Sequence, residues 1–162
     1  QSWKVFFLGL STGLDAAQFE ILLRRLNFSR KDKLFFQQLR QSVGDAVQRL
    51  HTWQGKNGPL SELFFILQEL PLECVLYLMA RSQKEHMRRN ISLYLTQLKT
   101  QRPVVTGKDL KKLGLPPGPR YSDVLKRIHA ALIDGQAVDQ KSQLALARKL
   151  VADLLAQEGS QA

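Results

Sequence analysis

A run of two glycines and three prolines at positions 114–119 constrains the fold more than any other local feature of this sequence. Proline has a fixed φ and no backbone N–H, so a helix cannot continue through this run. Gly114 stands where the end of a helix commonly requires left-handed backbone, which glycine adopts without a Cβ penalty. The sequence therefore predicts a helix-turn-helix corner at 106–135, with one helix over about 107–113 and a second that begins near Arg120 or Tyr121.

Each helix of this predicted corner has an end signal and an apolar face. Thr106 is the predicted N-cap of the first helix, and Gly135 is the predicted stop of the second. The residues expected to face inward follow helical spacing and are Leu110, Leu113, Tyr121, Val124, Leu125, Ile128 and Leu132. The corner should therefore consist of two short amphipathic helices joined by a stiff turn.

Basic residues surround the predicted turn. A helix that starts after such a turn presents backbone N–H groups without partners, and N–H groups in that arrangement attract phosphate. The candidate phosphate-binding residues at this corner are Lys108, Lys111, Lys112, Gly114, Gly118, Arg120, Lys126 and Arg127. An ordinary corner whose lysines are simply solvated fits the same residues, and the turn alone leaves both interpretations open.

The charge of the chain is strongly uneven. The formal net charge is +10, from 24 Lys and Arg against 14 Asp and Glu. Residues 81–127 hold 12 of the basic residues and 3 of the acidic ones, so nearly all of the excess lies in this segment. Such a segment predicts a polyanionic partner, of which nucleic acid is the commonest. A membrane partner is not expected, because no long basic amphipathic helix dominates the sequence.

A second basic row lies along a helix predicted over 83–99 and the residues just before it. The candidate phosphate-binding residues of this row are Arg81, Lys84, Arg88 and Arg89. Charges at near-helical spacing can follow a phosphate backbone, and only Glu85 offsets them. An ordinary solvated helix face is the alternative.

The remaining sequence also has helical periodicity. An apolar seam runs along 31–53 at spacings of three and four and comprises Phe35, Leu39, Val43, Ala46, Leu50 and Trp53. The helix that follows Pro71 is predicted to bury Leu72, Val75, Leu76 and Met79. No run of alternating strand residues occurs. The sequence therefore predicts an all-α fold, a multi-helix array of about seven to nine helices.

Motifs for catalysis are lacking. Metal-dependent nucleotidyl transfer requires clustered carboxylates, and the sequence contains no Asp-x-Asp pair and no glycine-rich nucleotide loop. The three histidines stand far apart, and His129 is expected to be a surface or core residue. Cys74 lies in an apolar run and is predicted to be a buried core thiol. We therefore expect no catalytic residue, metal or cofactor in this chain.

Two further features bear on where the protein works. One cysteine excludes an internal disulfide and fits a reducing compartment, so a cytoplasmic location is expected. The first residues lack the basic start and the cleavage site of a signal peptide. The chain begins at Gln1 rather than Met, and we expect it to be part of a longer protein.

The stretch 106–135, TGKDLKKLGLPPGPRYSDVLKRIHAALIDG, resembles the C-terminal motif of bacterial class II tRNA nucleotidyltransferases, which include the CCA-adding enzymes, the A-adding enzymes and the related poly(A) polymerases. The matching residues are Gly107, Asp109, Leu110, Leu113, Gly114, Pro117, Gly118, Pro119, Leu125, Asp134, Gly135, Leu146, Ala147 and Arg148. Ser122 departs from the glycine that is usual in the family, and its side chain is expected to alter how closely RNA or a neighbouring helix approaches.

This resemblance implies a helical body-like region over 1–100, a tail-like region over 101–157 and a frayed terminus at 158–162. In the family these regions grip tRNA away from its growing 3′ end, near the elbow. The resemblance therefore implies a non-catalytic domain that binds tRNA or other structured RNA. Mg²⁺ and nucleoside triphosphate are then expected only in a catalytic head elsewhere in the parent chain, which also decides between CCA addition, A addition and poly(A) synthesis.

Two other functions stay open from the sequence. The first is a basic helical module that binds an acidic protein or the catalytic head of its own parent chain. The second is a stand-alone enzyme of unknown type. Salt-sensitive binding of folded RNA would separate the proposed RNA-binding role from both.

Overall fold

A computed structural model describes residues 2–53 and 58–159, and within them the chain forms nine α-helices and one 3-10 helix. In chain order these are α1 (Ser2–Leu10), α2 (Ala16–Arg25), α3 (Arg30–Thr52), α4 (Leu60–Gln68), α5 (Leu72–Arg81), α6 (Glu85–Thr96), the 3-10 helix (Leu98–Thr100), α7 (Gly107–Lys112), α8 (Arg120–Ile133) and α9 (Gln140–Gly159). The predicted all-α fold is therefore confirmed. Of the predicted frayed terminus, positions 160–162 lie outside the described residues, and α9 extends to Gly159.

The chain divides into two compact units. Unit 1 comprises Gln1–Gly58 and Phe65–Thr96, and unit 2 comprises Pro59–Phe64 and Gln97–Ala162. The first part of α4 therefore belongs to unit 2 although the helices before it and after it belong to unit 1. The assignment of 1–100 and 101–157 to body-like and tail-like regions stays a prediction.

Aromatic rings form the centre of unit 1 around Phe36, which is completely buried. The rings of Phe7, Phe28 and Trp3 lie 4.7, 5.4 and 5.6 Å from it, centroid to centroid. The predicted seam named Phe35 instead, and this was wrong. Both phenylalanines keep helical spacing to Leu39, so periodicity could not choose between them, and packing against α1 does.

The partner of Phe35 explains its partial exposure. The Lys4 ammonium lies 4.0 Å from the centre of the Phe35 ring. This cation–π contact covers a ring that is not fully buried in the core. Leu39, Val43, Ala46 and Trp53 of the predicted seam are buried, as expected.

The buried face of α5 also differs from the prediction. Val75 is buried as predicted, but Leu72 is 43% exposed, and its place is taken by Cys74, Tyr77 and Leu78. The helix touches α1, α3 and α6, so it buries more than one stripe. The Tyr77 hydroxyl is 2.6 Å from the Thr12 hydroxyl. This hydrogen bond allows the polar end of the Tyr77 side chain to lie within the helix packing.

Cys74 is the predicted core thiol. It is fully buried, and burial together with the charge of Glu73 raises its pKa from 9.0 to about 12. A thiol with such a pKa is protonated at neutral pH and is a poor nucleophile.

Unit 2 has its own apolar core, which the corner helices share with α9. Its fully buried members include Leu110 of α7, Ile128 of α8 and Ala147 of α9, and Leu115 of the turn joins them. The predicted inner face of the corner is thus largely confirmed. Toward the end of α8, however, Ala131 and Ile133 are buried where Leu132 was predicted.

A carboxylate ties the start of α4 to the end of α8. Asp134 follows the last turn of α8 and accepts hydrogen bonds from the Ser61 backbone N–H at 2.8 Å and from the Ser61 hydroxyl at 2.6 Å. One of the unpaired N–H groups at the start of α4 is therefore satisfied by a residue 73 positions away in sequence. This bond explains why the segment Pro59–Phe64 belongs to unit 2.

We predict that Asp134→Asn destabilises unit 2. The amide keeps one acceptor oxygen but loses the charge, and hydrogen bonds to charged groups are stronger than neutral ones, so the free energy of unfolding should fall by about 1–2 kcal/mol. Chemical denaturation would measure this, with Asp153→Asn, an exposed carboxylate of α9, as the matched control. Equal stability of the two variants would contradict the role of Asp134.

Candidate nucleic-acid interface

The start of α7 is fixed by the predicted N-cap, Thr106. Its backbone N–H and its hydroxyl both donate to the same carboxylate oxygen of Asp109, at 2.9 and 2.8 Å. These bonds lower the pKa of Asp109 below 3.8, the backbone bond most of all. Asp109 is the acidic residue of α7 and serves the helix start. The charge of Lys112 also lowers the pKa of Asp109, but the two residues form no ion pair within 4 Å in the described part of the chain.

The end of α7 has the geometry that Gly114 predicts. Gly114 has φ +89°, its N–H donates to the Lys111 carbonyl at 3.1 Å, and the Leu115 N–H donates to the Leu110 carbonyl at 3.2 Å. Both bonds are those of the Schellman motif, which satisfies the last carbonyls of a helix. The motif turns the chain so that Leu115 enters the core of unit 2.

Tyr121 fastens the start of α8 to both ends of α7. Its hydroxyl donates to the Leu115 carbonyl at 2.8 Å. Its ring lies against Gly107 at the other end of α7, so closely that a Cβ on Gly107 would be 3.2 Å from the ring. The turn therefore has a stiff frame made of one aromatic ring, one hydrogen bond and three prolines.

The amide groups at the start of α8 differ from the prediction. The N–H of Tyr121 donates to the Gly118 carbonyl at 3.1 Å, and the N–H of Ser122 donates to the Pro119 carbonyl at 3.0 Å. The expectation of unpaired N–H groups is wrong for these two residues, because the turn itself supplies their acceptors. An anion at this corner would therefore be held by cationic side chains.

The predicted cations of the corner all lie at the surface. Lys108, Lys111, Lys112, Arg120, Lys126 and Arg127 are exposed, and the helices that carry them, α7 and α8, are in contact. Within the described residues, Lys108, Lys111, Lys112 and Arg127 form no ion pair. We call these six cations with Gly114 and Gly118 the α7–α8 corner.

The second predicted row lies in unit 1 and is not a row on one helix. Arg81 ends α5, Lys84 lies between helices, and α6 begins at Glu85. Glu85 pairs with Arg88 at 2.8 Å and with Arg89 at 3.3 Å, because these residues stand three and four positions after it on the helix. The surface pairs are weak, but they leave this row with less unpaired charge than the α7–α8 corner has.

Arg81 is also engaged within unit 1. Its guanidinium donates to the Tyr77 hydroxyl at 3.1 Å. Of the four cations predicted for this row, Lys84 alone has no contact of this kind among the described residues.

A further basic cluster was missed by the sequence analysis. Residues 24–33 contain five basic residues and one acidic residue, and they span the end of α2, a short loop and the start of α3. We call this segment the α2–α3 corner. A charge count over the whole chain outside 81–127 gave only +1, because acidic residues elsewhere offset this cluster. A ten-residue window would have found it.

His129 anchors the inner side of α8. It is half-buried, and its ring meets Phe64 edge-on at 4.8 Å between centroids. Burial lowers the pKa of His129 below 6.5, a hydrogen bond with the Gln101 backbone opposes this shift, and the nearby charge of Arg102 adds to it. The side chain packs on the opposite side of α8 from the exposed Arg127.

The described residues also bear on two other kinds of site. None of their helices is long and apolar enough to cross a membrane. Within residues 2–53 and 58–159, no three His, Cys, Asp or Glu side chains come together as a metal site would need.

The chain is similar to two curated proteins. It is 32% identical over 152 residues to an A-adding tRNA nucleotidyltransferase of Geobacter sulfurreducens, and the match covers 93% of this chain and 17% of the relative. A protein of the same name from Halalkalibacterium halodurans is 28% identical over 114 residues, which are 70% of this chain and 26% of that relative. No protein-family model matches the chain, and no solved structure does.

These similarities confirm the resemblance to the tRNA nucleotidyltransferases that the sequence predicts. The matches span only about a sixth of the length of the first relative and about a quarter of the second. Its position at the C-terminal end of such a protein stays a prediction.

We predict opposite outcomes for alanine at the two glycines of the corner. Gly114→Ala forces a Cβ into left-handed backbone and should lower the free energy of unfolding by about 1–2 kcal/mol. Gly118 has no positive φ and open space around it, so Gly118→Ala should change stability by less than about 0.5 kcal/mol or raise it slightly. Chemical denaturation measures both, and similar losses for both variants would contradict the assigned backbone.

We predict that His129 makes stability depend on pH. Its folded pKa lies below the unfolded value near 6.5, so its contribution is complete above that value and is lost as the pH falls through it. Denaturation at a series of pH values between about 5 and 7 should therefore show stability rising with pH, and His129→Gln should flatten this rise. An unchanged pH profile in the variant would contradict the burial of His129.

Proposed function

We propose that this chain, related as it is to A-adding tRNA nucleotidyltransferases, is a non-catalytic part of such an enzyme and binds the phosphate backbone of tRNA through the α7–α8 corner. Both relatives are named for A addition to tRNA, so we propose the same activity for the whole protein. Nucleotide and Mg²⁺ would bind in a part of the enzyme beyond this chain.

One observation carries the proposed RNA contact: exposed cations without ion pairs on a stiff frame. Thr106 engages Asp109, so Lys108, Lys111 and Lys112 keep their charge unpaired among the described residues. Tyr121 joins the two helices that carry the cations, so their spacing is set before RNA arrives. Phosphates can then be bound without a prior ordering of the protein. Such ordering costs free energy and would lower the affinity.

Charge on a fixed frame suits folded RNA in particular. RNA helices have a deep, narrow major groove, and proteins bind such helices mostly through phosphates, 2′-hydroxyls and overall shape. Contacts to phosphates position a protein on RNA but carry no sequence information. This mode fits a domain that would hold many tRNAs of different sequence at a fixed distance from a distant active site.

The assignment of catalysis to another part of the protein rests on length and on sequence. The chain corresponds to 17% of one relative and 26% of the other. Its sequence has no Asp-x-Asp pair that could hold the catalytic cations. Nucleotide incorporation into tRNA by the isolated chain should therefore be undetectable, and turnover would overturn the proposal.

We predict salt-dependent binding of tRNA. Neutralising about four to six phosphates gives a slope of about −3 to −5 for log affinity against log salt concentration. The triple variant Lys108→Gln, Lys111→Gln and Lys112→Gln should make this slope less negative by about 2–3. Fluorescence anisotropy with labelled tRNA at several salt concentrations would measure it.

The control removes the same charge from another helix of unit 2. Lys141→Gln, Arg148→Gln and Lys149→Gln change three exposed residues of α9 and should change the slope by less than about one. Equal slopes in the two triple variants would mean that net charge, and not the α7–α8 corner, holds RNA. Equal binding of poly-glutamate and tRNA would favour an acidic protein as the partner.

A further inference from the structure

The α2–α3 corner of unit 1 carries a dense group of unpaired cations. Arg24 and Arg25 lie in the last turn of α2, and Arg30, Lys31 and Lys33 lie in the first turn or just after the start of α3. None of these five forms an ion pair within the described part of the chain. Only four residues separate the two helices, so the Cα atoms of Arg25 and Arg30 are at most about 18 Å apart.

The acidic residue of this corner does not neutralise its neighbours. The Ser29 hydroxyl donates to the Asp32 carboxylate at 2.6 Å, and the Asp32 N–H donates back to the Ser29 oxygen at 3.1 Å. Asp32 thus serves the start of α3, as Asp109 serves the start of α7. The cations near the start of α3 also meet the positive end of the helix dipole, which is unfavourable for them. The charge of Arg30, Lys31 and Lys33 therefore does not favour the start of α3, and this points to a partner.

An exposed aromatic ring lies at the same corner. Phe28, in the loop between α2 and α3, stacks on Trp3 with 6.0 Å between centroids and 18° between planes. The rings of Trp3 and the buried Phe36 form a T-shaped pair with 5.6 Å between centroids, so two contacts hold the indole. Trp3 is nevertheless 47% exposed. A fixed, half-exposed indole therefore lies against the loop that joins the two helices carrying the five cations.

We propose that the α2–α3 corner, together with Trp3, binds an unpaired segment of RNA, with its phosphates on the cations and one base stacked on the indole. Aromatic rings combined with basic side chains are the means by which proteins hold single strands, because every base has a face that can stack. This surface is distinct from the α7–α8 corner, where no aromatic ring is exposed among the described residues. The inference rests on the proposed function, because it assumes that the chain binds RNA.

RNA fits this corner better than a lipid surface does. Membrane binding of this type uses one long helix with an apolar face beside a basic face. Here the cations flank a loop between two helices, and the exposed ring is held by stacking on Phe28. The stacked arrangement matches a flat ligand with a negative chain attached.

Trp3 provides a direct signal for this contact. The other tryptophan, Trp53, is 4% exposed, so Trp53→Phe leaves Trp3 as the single tryptophan, whose emission can be excited selectively over that of the tyrosines. A single-stranded RNA of about 12 nucleotides should quench this fluorescence, and the same sequence as a duplex should quench it much less. Circular dichroism would establish that the Trp53→Phe protein is folded.

Three variants locate the site. Arg25→Gln, Arg30→Gln and Lys31→Gln together should lower the affinity for the single strand about tenfold at low salt and make its salt slope less negative by about 2. Trp3→Leu should lower the affinity about fivefold or more, and Trp3→Phe should restore most of it, because phenylalanine also stacks. The α9 triple variant described above removes equal charge and should keep both the quenching and the affinity.

The outcomes separate this inference from the proposed function. If tRNA binds through the α7–α8 corner but the single strand leaves Trp3 fluorescence unchanged, or if the α2–α3 triple variant binds as the parent does, the inference is wrong and the proposed function stands. If neither RNA binds at low salt, both are wrong. If vesicles with about 30% anionic lipid shift Trp3 emission and RNA does not, the corner is a lipid-binding surface and the inference is overturned.

Discussion

Hydrogen bonds between aspartate side chains and residues at the starts of helices stabilise much of this structure. They also bear on which surface cations have an ion-pair partner. Five of the eight aspartates are used at helix starts. Asp15 serves α2, Asp32 serves α3, Asp134 serves α4, Asp109 serves α7 and Asp139 serves α9. A carboxylate used in this way stabilises the helix, both by satisfying an N–H group or orienting a capping residue and by facing the positive end of the dipole. None of these five carboxylates forms an ion pair in the described part of the chain, so helix capping and unpaired surface cations occur together here.

The α7–α8 corner shows how this local chemistry becomes a surface with fixed geometry. Asp109 and Gly114 set the two ends of α7, and Tyr121 connects both ends to α8. The cations themselves contribute little to this frame, since they are long, exposed side chains. Their replacement should therefore change binding much more than folding, whereas changes at Gly114 or Tyr121 should act on folding first. The physical separation of frame and charge is what makes the proposed role testable.

Local residue chemistry was enough to predict the corner and insufficient elsewhere. The turn at Gly114, the start of α8 at Arg120 and the stop at Gly135 depend on backbone rules that act over a few residues. The choice of Phe36 over Phe35, in contrast, depends on a ring from α1. The paired N–H groups of Tyr121 and Ser122 depend on turn carbonyls whose direction the sequence does not specify.

The same distinction holds for the charges. The cations of the α7–α8 corner could be predicted because they cluster in sequence around a recognisable motif. The spacing of Arg88 and Arg89 from Glu85 could have indicated that both pair with it. The break between α5 and α6, in addition, interrupts the continuous helical row on which their prediction as phosphate-binding residues depended. The cations of the α2–α3 corner were missed because the charge was counted over long segments. Its aromatic part could not be predicted, because Trp3 lies more than twenty residues away in sequence and reaches the loop only in the folded unit.

The two proposed contacts suit different features of RNA. The α7–α8 corner offers charge on a stiff frame, which fits phosphates held in a fixed array by a folded helix. The α2–α3 corner adds an aromatic face, which an unpaired base can use and a base inside a helix cannot. Because both contacts are independent of base identity, neither would restrict the protein to one tRNA sequence. Each proposed contact would restrain a bound RNA in its own way, through phosphates on cations or through a base on a ring. Holding a substrate in one orientation is a contribution to catalysis that a domain without catalytic groups can make.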